Sequence, residues 1–69
     1  MSNNVFKKVE LVGTSSSSIS DAIDNAIHAA SSTLEQVTWF EVQEIRGHVE
    51  NGKVSSYQVV VKVGFRVKT

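Results

Sequence analysis

The chain has 69 residues with no cysteine and no proline, and its seven basic residues balance seven acidic ones. A domain this small buries only about 60% of the surface its unfolded form exposes and is marginal alone. Missing cysteines exclude disulfides and thiolate metal sites, and zero net charge speaks against a nucleic-acid binder, whose footprint is a basic stripe. No apolar run approaches the roughly 18 residues of a membrane span, and the start "MSNNVFKK" has no apolar signal-peptide core. His28 and His48 lie too far apart in sequence for a zinc-ligand spacing. Residues 1–69 therefore read as a single soluble, cytoplasmic domain. Self-association is its expected source of extra stability, because small scaffolds lacking disulfides and metals have few others.

The first predicted element is a strand over "VFKKVELVG", Val5 to Gly13. The serine-rich "TSSSSIS" leads directly into a helical pattern, with apolar residues at Ile19, Ala22, Ile23, Ala26, Ile27, Ala30 and Leu34. Ser18 occupies the N-cap position, and Asp21 and Asp24 suit the positive helix end. The spacing predicts a helix over about Ile19 to Gln36, with Asp24, His28, Ser31 and Glu35 on a solvated face. "TWFEVQEIRGHVE", Thr38 to Glu50, predicts a second strand, and Asn51-Gly52 a type I′ hairpin turn. In the third strand, Ser55 to Lys68, Tyr57, Val59, Val61, Val63, Phe65 and Val67 alternate with a mostly polar set. One face packs on the helix and the other does not.

This order, β-α-β-β, defines an α+β fold in which a three-stranded antiparallel sheet wraps around one helix. The third strand would span about 45 Å at roughly 3.3 Å per residue. The helix reaches only about 27 Å at about 1.5 Å per residue. The helix cannot cover that sheet, so copies of the same chain are expected to bury the remainder in a closed assembly.

Alternation separates the adjacent aromatics of strand two. Phe40 and Val42 should face the helix, leaving Trp39, Glu41 and Gln43 on the outer face. Pairing through the hairpin sets position 45 opposite 58, so Gln58 adjoins the outer side chains of strand two. An outward indole and an outward amide suit a planar heteroaromatic ligand, stacked on one and hydrogen-bonded at its edge by the other. The same indole would serve equally as a core or interface side chain. Ideal alternation sets Arg46 on the side of Phe40, from which a bulge beside Gly47 would bring it outward.

"FKKVELVGTS", "WFEVQEIRG" and "YQVVVKVGFR" together resemble the dodecin family of small flavin-binding proteins, from about Val5 to Val67. The resemblance implies a hollow homododecamer that holds FMN or riboflavin in stacked pairs between tryptophans, storing and shielding flavins without catalysis. It implies that Trp39 stacks on the isoalloxazine ring and that Gln58 binds the ring's polar edge. Arg46 and Arg66 match positions associated with phosphate-bearing parts of ligands, either FMN or coenzyme A at a separate site. Glu41 shares the face of Trp39 and either contacts the pocket or pairs with a cation. Each arginine could equally form an ordinary ion pair with Glu41, Glu44 or Glu50, and His48 is expected near the hairpin. An enzyme is not expected, for the chain has no Ser-His pair at suggestive spacing and no glycine-rich phosphate loop. The rival reading is a self-assembling shell, or a coenzyme A-binding module without flavin function.

Overall fold

A computed structural model describes residues 3–67, forming β1 (Val5–Ser15), α1 (Ile19–Thr33), β2 (Val37–Glu50) and β3 (Lys53–Val67). Met1, Ser2 and Lys68, which entered the sequence reading, lie outside the described residues. The expected β-α-β-β order holds. The sheet runs β1-β3-β2 with both pairings antiparallel, so β3 is the central strand.

The serine run caps the helix. Ser18 is extended, and its Oγ accepts the Asp21 N–H at 3.0 Å, satisfying one of the unpaired donors of the first turn. Ser15 Oγ accepts the N–H groups of Ser17 and Ser18 and donates to the Asp21 carboxylate at 2.7 Å. At its other end α1 stops at Thr33, short of the expected Gln36. Ser32 and Thr33 turn their hydroxyls back onto the carbonyls of Ala29 and Ala30, and the Ala30 carbonyl also accepts the Leu34 N–H at 2.8 Å, closing the last turn. Leu34 is extended, and Gln36 enters the left-handed region at φ 59°. The Gln36 carbonyl then accepts the Arg66 N–H at 3.2 Å, which ties the turn to the sheet.

The core is a seam of small residues against a valine face. Ala22, Ala26 and Ala30 pack on Val59, Val61 and Val63, flanked by Val9, Leu11, Ile23, Ile27, Leu34 and Val37. Gly13 of β1 completes the seam, since a Cβ there would collide with the Ala22 carbonyl. Alanine and glycine allow the helix to lie close to the sheet, over β1 and β3.

That placement leaves β2 bare. Phe40 and Val42 do lie on the helix side, opposite Val63 and Val61. The expectation that α1 covers them fails, for they remain 47% and 41% exposed, and Ile45 beside them is 53% exposed. The helix sits over the first and central strands, and β2 lies beyond its reach. The radius of gyration is 14.4 Å, with extents of 58 × 20 × 13 Å, against about 11 Å expected for a compact chain of this length. The chain is an elongated slab with an apolar strip open along β2.

The hairpin turns through Asn51 (φ 52°) and Gly52 (φ 72°), as a type I′ turn requires. Three extra residues then interrupt the ladder. Val42 pairs with Val61 while Glu44 pairs with Val60, so Gln43 is a bulge. By the same comparison Thr38 is an extra residue in β2, and Ser55 is one in β3. The Gln43 bulge reverses the alternation beyond it. Ile45 therefore lies opposite Val59 on the helix side, and Arg46 takes the expected place of residue 45 opposite Gln58. Arg46 reaches the outer face, as a bulge would allow, but the bulge is at Gln43 and not beside Gly47.

Candidate functional site

On the outer face, β1, β3 and β2 present a row of Lys8, Gly64 and Trp39, directly paired across the sheet. Gly64 is the floor of this row. A Cβ built on it would overlap the Trp39 ring carbons, so the indole lies down across the central strand. The ring reaches Phe6 of β1 in an edge-to-face contact, with centroids 5.3 Å apart and planes at 65°. Its Nε1–H donates to Glu41 at 3.0 Å. Lys8 reaches over from β1 and donates to both Glu41 oxygens, at 3.3 and 3.2 Å. The indole N–H, followed by Lys8, holds the Glu41 carboxyl below its ordinary value of 4.5. This lone tryptophan faces outward, 37% exposed, so its upper surface is open in a single chain.

Gln58 belongs to a second cluster on the same face. Arg46 Nε donates to Gln58 Oε1 at 2.7 Å, and Arg46 Nη1 forms an ion pair with Glu44. The Gln58 carbonyl is thereby engaged, and its amide N–H groups are the part left to present to a ligand. Gln58 stands six positions before Gly64 on β3, a distance of about 20 Å at roughly 3.3 Å per residue. Arg66, exposed and paired with Phe6 across the sheet, lies at the Trp39 end.

The five residues singled out in the sequence thus form two groups. Trp39, Glu41 and Arg66 share one end of the outer face, and Arg46 and Gln58 share the other. One chain cannot bring Trp39 and Gln58 to one three-ring ligand. Glu41 pairs with Lys8 and Arg46 with Glu44, two ion pairs of the ordinary kind within the chain. His48 lies near the hairpin, exposed, with Nε2 3.9 Å from Glu50. Sequence reasoning passed over Lys8, Phe6 and Gly64. Gly64 did carry a signal, since a glycine inside an alternating strand marks close approach of another group. Among the described residues no cluster of three or more acidic, histidine or cysteine side chains could hold a metal, and no helix is long and apolar enough to cross a membrane.

These features define the class as a small α+β protomer of β-α-β-β order, with an indole laid on one face of its sheet and an apolar strip open on the other. Residues 5–68 match the family model described as Dodecin. A curated Dodecin from Thermus thermophilus is 52% identical over 64 residues, covering 93% of each chain. A T. thermophilus crystal structure matches with a TM-score of 0.93 at 49% identity, over 97% of this chain and 98% of that one. The Streptomyces coelicolor dodecin structure also gives 0.93, at 43% identity over 100% and 99%. The chain belongs to the dodecin family.

Proposed function

We propose that this chain binds flavins, FMN or riboflavin, and holds them as a store in which their photoreactivity is suppressed. The observation that carries the reading is the outward indole, seated on Gly64 with its N–H already satisfied by Glu41. A large flat apolar surface stacks favourably on such a ring. The ring's polar edge alternates carbonyls with an N–H, and the Gln58 amide, its own carbonyl held by Arg46, offers donors to the carbonyls. Excited flavin is a strong oxidant, and contact with an indole quenches it by electron transfer.

Because Trp39 and Gln58 lie too far apart to serve one ring within a chain, the pocket closes between copies. In the assembly we propose, a homododecamer, two flavins stack on each other between the tryptophans of two protomers. Arg66 at the Trp39 end and Arg46 at the Gln58 end are the cations available to a ligand phosphate, whether that of FMN or of coenzyme A at a separate site. A ring blocked by indole on one side and a second flavin on the other leaves no room for a substrate. The protein is therefore read as a carrier and not an enzyme, acting in the cytoplasm.

The test is fluorimetric. Titrating the protein into riboflavin or FMN should darken flavin emission at near-stoichiometric ratio, and Trp39→Ala should lose this while sedimenting as the wild type does. Unchanged emission with the wild type, together with dissociation of Trp39→Ala, would favour a structural shell or a coenzyme A module.

A further inference from the structure

An indole on an open sheet face has two freely rotating side-chain bonds, and stacking on a ligand costs it that freedom. Three contacts remove the freedom beforehand. Gly64 beneath allows the ring to lie flat, Phe6 meets its far edge, and Glu41 accepts its only polar hydrogen. Glu41 is on the same strand as Trp39, two residues on, and left to itself would rotate with solvent. Lys8 prevents this by reaching across from β1 and donating to both carboxylate oxygens. The contact thus ties the first strand to the third in space, directly over the central strand.

We propose that Lys8 and Glu41 are positioning residues that lock the Trp39 indole at its stacking angle before any ligand arrives. Glu41 acts through Trp39 and Lys8 acts through Glu41; neither needs to touch the ligand. The inference rests on the flavin-binding reading for its purpose, but the lock itself belongs to the ligand-free protein. The ion pair is exposed, with side chains 43% and 40% accessible, and pairs of that kind contribute little to folding. Its role is orientation.

The lock also has a pH limit. Charged groups facing Glu41 are Lys8 and Glu10 from β1 and Lys62 from β3, the last directly opposite it. A carboxyl held below 4.5 by its partners remains a full acceptor above that value. As pH falls through the depressed one it loses its charge and the Lys8 ion pair that fixes its rotation, and the indole loses a fixed acceptor.

The chain has a single tryptophan, so time-resolved fluorescence anisotropy of the ligand-free protein reports this ring alone. Glu41→Leu and Lys8→Met should each add a fast local depolarisation absent from the wild type, and Lys8→Arg should restore the slow decay. Wild type should gain the fast component only as pH falls through the depressed Glu41 value, below the ordinary 4.5, whereas Glu41→Leu should show no change there. Flavin affinity should fall roughly two- to tenfold in both variants, the cost of ordering one side chain, with sedimentation unchanged. Wild-type anisotropy in both variants would overturn the proposal. So would a freed indole with undiminished flavin affinity. A wild type that binds no flavin would remove the storage reading, while the anisotropy would still decide whether the lock exists.

Discussion

At the scale of single residues, the site depends on one absent side chain. Gly64 leaves the slot in which the indole lies, and any Cβ there would lift the ring off the sheet. Gly64→Ala should keep the fold, because the outer face carries no core packing at that point. It should abolish flavin quenching, and near-ultraviolet circular dichroism should show the tryptophan signal flattened; an unchanged tryptophan band would contradict the geometry. The outward aromatic was legible from alternation alone, since Trp39 and Phe40 must point opposite ways. The partners of Trp39 were not. Lys8 lies on a different strand from Glu41, and nothing in local pattern says that the two meet across a third. Gln58 was legible as an outward amide, but the arginine that engages its carbonyl depended on a register that the pattern left one residue off.

At the scale of elements, caps and turns were readable because each has its own chemistry. Ser18 and Asn51-Gly52 stand where an N-cap and a type I′ turn require them. Ser18→Ala should destabilise the protein by about 1 kcal/mol; urea denaturation with an unchanged midpoint would show that the bonds of the Ser15 hydroxyl suffice. The helix end was misread because apolar spacing continues to Leu34 and no glycine or proline follows. The stop lies in the backbone, where Leu34 turns extended and Gln36 takes a positive φ, with the Ser32 and Thr33 hydroxyls turned back on the last carbonyls. Bulges were the least legible features. An extra residue such as Gln43 has no compositional mark, yet it decides that Arg46 and not Ile45 faces outward.

At the scale of the whole molecule, strand length exceeding helix length was visible in the sequence, and the consequence was correctly a sheet that one helix cannot cover. Which strand would be left bare was not visible, because that depends on the order β1-β3-β2 and on the small-residue seam that draws α1 over β1 and β3. The strip of Phe40, Val42 and Ile45 is exposed on the side away from the indole. Phe40→Asp removes no packing under the helix and should leave the protomer's secondary structure intact. It should nonetheless shift sedimentation to a smaller species at micromolar concentration, since a buried unpaired charge opposes association. An unchanged sedimentation coefficient would mean that copies meet elsewhere.

The bare glycine under the indole also constrains the gene. Every base change in a glycine codon that alters the amino acid installs a side chain or ends the chain, and no replacement is as small as hydrogen. No one-step neighbour preserves the slot, so a lineage that relies on the seated ring has no mutational path at this position along which to drift.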